Sequence, residues 1–361
     1  MRRILNIAAL GAIIVAGIGT YAVNGEQNQD DWMLHVDSNE AVWKNRAVRL
    51  SATDMDRSGQ DVEVSIDGSR FVNGSYIDEV MQYRSDIGGQ DRSFARALKQ
   101  LNYTQQIKTE DGYVAIGQKD QDTLVLLQSK DGNMVERTEF PNVQSIVDSG
   151  WGGMFVYDGT VHIVYNENYE LTNQHVAVLD VATTTIDTKK IARDGMLIEY
   201  VMGETWGFAL GDGQRTTIGK DNRYIPIQAT RLETVEADDG EAYSEHMSLS
   251  GLYVYDVEEN RVVSLDVEQE AIATSVFGDT YQALLADGTE TNINLKTLTE
   301  TSRTIIQDEV GTASYYDGLL YHVSPTEDGA KVDVYDGADL VSEATVTGKE
   351  VNPDSFQYYV Y

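Results

Sequence analysis

Asp54, Asp56, Ser58 and Asp61, in the segment "DMDRSGQD", follow one another at the close spacing with which a loop wraps a hard cation in oxygen ligands, and Gly59 permits the sharp turn such a loop needs. The ion implied is calcium. The segment departs from the EF-hand pattern at the twelfth position, where Ser65 replaces the bidentate glutamate. Its flanks, "RAVRLSA" and "VEVSIDG", read as strands rather than helices. A polar β-hairpin tip accounts for these residues better, and calcium is the one cofactor the sequence raises at all.

Other candidates are near misses. The glycines of "GDGQRTTIGKD" (Gly211 to Asp221) fail as a phosphate loop, because Asp221 stands where a serine or threonine would hold magnesium. His35, His162, His175, His246 and His322 show no H-E-x-x-H or other compact metal spacing. His162 and His322 fall in corresponding strands of two similar phrases, as repeat positions do. No G-x-S-x-G elbow is present, and no cysteine, so thiol nucleophiles, disulfides and zinc-thiolate sites are excluded. With 59 acidic residues, two neighbouring carboxylates carry no information about acid–base catalysis. Trp151 in "SGWGG" and Trp206 in "ETWGF" could stack on a carbohydrate, but packing within a β core explains them better. Catalytic residues are therefore not identified.

The elements that would position such groups are hairpins. "SGLYVYDVEENRVVSLDVEQ" (Ser250 to Gln269) holds two strand-like runs about a polar turn, with Val263, Leu265 and Val267 expected on one face. Comparable phrases occupy Asp122 to Phe140, His175 to Ala192 and Ala330 to Val346, with a weaker copy at Glu290 to Ile306. Each is led by a turn-strand phrase such as "EDGYVAIG", "YDGTVHIVY", "ETWGFALGDG", "GDTYQALLADG" or "YYDGLLYHVS". From Asp256 to Leu295 to Asp336 the recurrence is about 40 residues, the length of a four-stranded propeller blade. "RLETVEADDGEAYSEH" (Arg231 to His246) reads as a loop insertion. "DRSFARALKQLN" (Asp91 to Asn102) departs from the repeat, placing Phe94, Ala97, Leu98 and Leu101 on one face of a short amphipathic helix capped by Asp91, with Arg92, Arg96 and Lys99 as a basic cluster. The terminal "FQYYVY" reads as a last strand, expected to pair near the start of the array.

At fold level the chain resembles extracytoplasmic β-propellers of bacterial surface proteins over roughly residues 105–346, in architecture only. Neither a WD dipeptide nor a paired-glycine kelch signature is present. The expected fold is all-β, a propeller of six or seven blades with one short helix. Tandem β-sandwiches are the alternative.

The N-terminus sets the compartment. Ile4 to Val23 is apolar apart from Asn6 and long enough to cross a bilayer, with Arg2 and Arg3 before it and Glu26, Asp30 and Asp31 after it. The positive-inside rule leaves the arginines in the cytoplasm and the rest outside. Residues 1–23 are accordingly read as a signal-anchor, with cleavage near Ala22 and secretion as the alternative. Residues 24–31 form a polar tether and residues 32–361 one propeller-like domain. The net charge of −32 repels nucleic acid and anionic lipid. The expected function is a non-enzymatic, membrane-tethered binding or sensory module, gripping a cell-envelope protein or glycan partner as an accessory component of an envelope complex. An extracellular propeller-type hydrolase or lyase is the first alternative, and a calcium-dependent adhesion or structural protein the second.

Overall fold

The computed structural model describes residues 32–52, 61–71, 92–109, 112–130, 134–170, 173–191, 196–202, 216–218, 221–236, 242–265, 271–307, 310–348 and 356–360. The membrane-segment and tether readings, Trp206, the helix cap Asp91 and Asp54, Asp56 and Ser58 lie outside these residues. No helix among the described residues is long and apolar enough to cross a membrane. Among the described residues the strands form six sheets, one of which gains a short parallel edge strand. The chain divides into two compact units, Met1–Tyr83 with Tyr321–Tyr361, and Arg84–Leu320.

In the first unit, β1 (Trp32–Val36), β2 (Ala47–Ala52), β3 (Asp61–Ser65) and β4 (Gly68–Phe71) come from the start of the chain. β24 (Leu319–Thr326), which begins just before the unit boundary, β25 (Gly329–Asp336), β26 (Asp339–Gly348) and β27 (Phe356–Val360) come from its end. The ends are exchanged. β1 lies antiparallel on β26, Trp32 opposite Gly348, while β27 lies antiparallel on β2, Val360 opposite Val48. The expected pairing of the terminal strand near the start of the array is therefore seen, with Tyr358 and Val360 buried. Between β1 and β2, the fully buried Trp43 donates its indole N–H to Ser342 Oγ at 3.0 Å and meets Tyr321 edge-on at 5.7 Å.

The second unit is a succession of meanders. β5 (Asn102–Thr109), β6 (Gly112–Gln118), β7 (Leu124–Lys130) and β8 (Met134–Phe140) form its first sheet. β9 (Gly150–Tyr157), β10 (Thr160–Asn166), β11 (Gln174–Asp180) and β12 (Thr185–Lys190) form the second. β13 (Met196–Val201), β15 (Tyr224–Glu236), β17 (Tyr253–Asp256) and β18 (Arg261–Ser264) form the third. β19 (Ala271–Phe277), β20 (Thr280–Leu285), β21 (Thr289–Asn294) and β22 (Thr299–Thr304) form the fourth, and β23 (Thr312–Tyr316) packs on β19. β14 (Thr216–Ile218) adds a parallel edge to β5, and β16 (Ala242–Ser248) pairs with the long β15. The segment read as a loop insertion is thus an ordered ribbon of paired strands.

Successive sheets share cores. Ile116, Leu126 and Phe140 of the first pack with Ile163, Tyr165 and Leu179 of the second. Phe155, Val164 and Val176 of the second pack with Ile227, Tyr255 and Val262 of the third. Val254 and Tyr224 of the third pack with Tyr281, Ala283 and Ile293 of the fourth. Sheets buried on both faces need apolar residues at consecutive positions rather than alternate ones. Leu124, Val125, Leu126 and Leu127 are accordingly all fully buried, and the last strands β12 and β22 are almost wholly exposed. This is propeller-class architecture, and it excludes tandem sandwiches. Val263 and Leu265 share one face of the β18 strand, as expected, packing toward the fourth sheet, while Val262 is buried on the opposite face against the second.

The helix α1 (Arg92–Leu98) covers the other face of the first sheet. Phe94, Leu98 and Leu101 are buried there against Ala115, Val125 and Leu127, with Ala97 partly buried, as the sequence pattern predicts. A second helical turn, α2 (Gln144–Val147), joins the first sheet to the second.

Candidate functional site

Asp61, the last of the suspected calcium ligands, opens β3 opposite Ser51 of β2. Of the phosphate-loop-like segment, Thr216–Ile218 is strand and not the start of a helix. Among the described residues no group of three or more His, Asp or Glu is placed to hold a metal ion. His35 is exposed on β1, and His175 stacks on Tyr165 at 5.5 Å. His162 and His322 both lie buried on the second strand of a meander, as repeat positions should. His162 stacks on Phe155 with ring centroids 4.9 Å apart, and burial, helped by the charge of Lys189, pushes its pKa down to about 4. Burial likewise lowers His322. Both imidazoles are neutral core residues at neutral pH.

Two charge networks brace neighbouring strands. Arg223 donates Nε and one terminal nitrogen to the two carboxylate oxygens of Asp256, each at 2.8 Å. Glu258, another acceptor for Arg223, also accepts the Tyr157 hydroxyl at 2.8 Å. Burial pushes the Asp256 carboxyl up, but hydrogen bonds from Arg223 and the Glu258 and Glu259 amides outweigh it and hold the pKa below the usual value. Glu290, only 1% exposed, accepts from Arg303 at 2.7 Å, Asn292 at 2.9 Å and the buried Tyr315 hydroxyl at 3.1 Å. Every acid in these networks is occupied by a protein donor. Their chemistry is structural.

A different arrangement stands where β5 and β9 begin. Most described tyrosines are buried, but Tyr103 is 80% and Tyr169 71% exposed. Both have left-handed backbones, φ 46° and 59°, as has Asn168 at 55°. For a bulky side chain this conformation costs about 1–3 kcal/mol, and such strain concentrates at sites of function. Tyr103 sits in a bulge of β5, between Asn102 opposite Gln118 and Gln105 opposite Ile116. The close approach of Thr104 and Leu101 to Gly117 leaves no room there for any Cβ. Tyr169 ends a short turn, Glu167–Tyr169, after β10, and its ring edge lies 3.5 Å from where a Cβ on Gly150 would be.

Trp151 follows Gly150 at the start of β9. Its indole N–H is held by the Ile146 carbonyl at 2.8 Å, while its own carbonyl accepts from Gln105 Nε2 at 3.5 Å. The partly exposed ring packs on the first shared core, so the packing reading of Trp151 holds. Gln105 Oε1 and the 7%-exposed Asn166 have buried acceptor oxygens without a hydrogen-bond partner. Asn173 donates to Glu167 at 2.6 Å and accepts from Lys190 at 3.0 Å. Neither Tyr103 nor Tyr169 stood out in the sequence, which holds 21 tyrosines. The available signal was the preceding residue: Asn102 and Asn168 make two Asn-Tyr pairs just where strand patterning breaks.

No family model matches the chain, and no curated protein matches it. Among solved structures it is similar to apo AztD from Citrobacter koseri, at 11% identity and a TM-score of 0.30, covering 88% of this chain and 98% of that one. It is similar to the uncharacterized protein lmo1340 from Listeria monocytogenes at 7% identity and a TM-score of 0.40, covering 66% and 63%. The WD40 domain of Toxoplasma gondii coronin matches at 12% identity and a TM-score of 0.28, covering 64% and 55%. All three scores lie below 0.5, and the fold assignment rests on strand order and shared cores instead.

Proposed function

We propose that this chain is a non-enzymatic binding or sensory module outside the cytoplasm, tethered by residues 4–23, which grips a cell-envelope partner as an accessory component of an envelope complex. The observation that carries this reading is the pair of exposed tyrosines, each held in a strained backbone on a sheet whose interior is tightly packed. Exposed aromatics on rigid supports suit recognition, because little side-chain freedom is lost on contact. The acidic surface favours solubility outside the cell and disfavours anionic partners.

Photo-crosslinking amino acids placed at positions 103 and 169 in intact cells test the proposal. Adducts with an envelope component are expected at both positions and not at exposed Leu298. Absence of adducts at both would overturn it. Protease added to wall-stripped cells should also remove residues 32–361; full protection would contradict the external location.

A further inference from the structure

We infer that β14 is a detachable strand seated on a strand-accepting edge of β5, and that this edge takes an extended basic segment of a partner protein when β14 leaves. The inference goes beyond the binding-module reading and uses none of its tyrosines. Connection lengths give the first observation. β5–β6, β9–β10 and β19–β20, each the first hairpin of a meander, are closed by two residues. β13 and β15 also pair antiparallel, Val201 opposite Ile227, yet 22 residues, 202–223, join them. Connections that long inside compact domains usually serve function rather than closure. Within this one lies β14, which pairs not with the third sheet but with the first. There Thr216, Thr217 and Ile218 lie parallel to Gln106, Ile107 and Lys108.

The second observation is the edge itself. β5, β9 and β13, the first strands of successive sheets, approach one another, while the last strand β12 is exposed. β14 therefore borders the inner side of the first sheet. It pairs three of the eight residues of β5, and in parallel, the slightly weaker ladder. A strand held by so few backbone bonds opens locally at low cost. Once vacated, the edge presents backbone N–H and C=O groups, a template for an incoming strand.

β14 also shows what this edge accepts. Residues 213–220, "GQRTTIGK", hold a β-branched triplet between Arg215 and Lys220 and carry no acid. In a chain with 59 acidic residues against 27 lysines and arginines, charge draws such a segment to the protein surface. A partner segment of the same pattern, extended, β-branched and basic, fits for the same reasons. A second copy is disfavoured as donor, because two chains of net charge −32 repel.

The test uses the full chain in detergent, with a fluorescein-labelled peptide of residues 213–220 as probe. Neighbouring N–H groups of a strand point to opposite sides, so Thr216→Pro with Thr217→Pro removes a donor facing β5. This variant should bind the peptide at least tenfold tighter than the parent, where β14 competes. The chain has no cysteine, and Lys108 stands opposite Ile218, so Lys108→Cys with Ile218→Cys gives a single disulfide that locks β14 in place. The oxidised form should not bind, and reduction should restore binding to the parent level. A peptide carrying Arg215→Glu and Lys220→Glu should bind the proline variant at least tenfold more weakly. In hydrogen exchange of the unaltered chain, amides 216–218 should open at least a hundredfold faster than those of Val114–Ile116 in β6. No binding to the proline variant, equal binding by that variant and the locked form, indifference to peptide charge, or β14 amides as protected as those of β6 would each overturn the inference. Self-association of the parent in sedimentation, abolished by the lock, would assign the edge to a second copy and overturn the foreign partner. None of these outcomes touches positions 103 and 169, so the binding module stands or falls by its own crosslinks.

Discussion

His162 is a residue whose identity suggests chemistry and whose surroundings forbid it. Its ring is pressed on Phe155 and near Tyr157 edge-on, with Nδ1 unpaired, so taking up a proton would charge a site without an anion to meet it. The folded pKa, about 4, lies below the unfolded value of roughly 6.5. The unfolded chain therefore binds the proton first. The stability tied to this group is complete above pH 6.5 and is lost as pH falls toward 4, by about 3 kcal/mol. Urea unfolding of His162→Phe and the parent at pH 7 and pH 4 isolates that part from the many carboxylates. The variant should gain about 3 kcal/mol on the parent at the lower pH, and a constant difference would show that the ring titrates normally. From sequence, the histidine was legible as a repeat position. Its neutrality was not, because that depends on how Phe155, Tyr157 and Lys189 of the same meander pack around the ring.

The same limit operates on whole elements. Hairpins were legible because each carries its own turn chemistry. Asp180, Asp256 and Asn294 each accept, through one side-chain oxygen, the backbone N–H groups two and three residues on, at 2.9–3.2 Å. Each is followed four positions later by a left-handed residue, Thr184, Asn260 or Leu298. This local device is what the loose strand-aspartate-turn-strand repeat records. At β18 the shared face of Val263 and Leu265 was legible, but the burial of Val262 on the other face was not, since cover on that side comes from another sheet. Leu298 is the poorest fit of the three, a branched side chain 57% exposed at φ 55°. Leu298→Asn or Leu298→Gly should raise stability by about 1 kcal/mol by relieving that backbone. Thermal denaturation of each against the parent checks this, and destabilisation by both would show that Leu298 makes a contact worth more than the strain.

On the scale of the molecule, repetition predicted the meanders and their sequence-local pairing, and the number of sheets falls within the expected six or seven. The exchange of the chain ends was half legible: "FQYYVY" announced a strand, but nothing local in "WMLHV" names β26 as its partner. Both exchanged strands bury side chains, Trp32 on one side, Tyr358 and Val360 on the other. Deleting Phe356 to Tyr361 should lower the unfolding midpoint of the first unit by several kcal/mol equivalent, since two core side chains and a ladder of backbone hydrogen bonds are lost. Adding the deleted segment in trans as a peptide should restore part of it. A truncated chain as stable as the parent would show that β27 is dispensable.

That exchange also orders events in time. β1 leaves the ribosome about three hundred residues ahead of its partners, Ala344–Gly348, and β2 likewise long before β27. The meanders of the second unit close loops of a few residues and can form as they emerge, whereas the first unit must wait for β26 and β27. A nascent chain arrested before residue 344 leaves the tryptophan-bearing strand β1 and one edge of β2 unpaired. The first unit then stays unfolded until β26 and β27 have emerged. In pulse-labelled cells, protease resistance of the first unit should appear after that of the second.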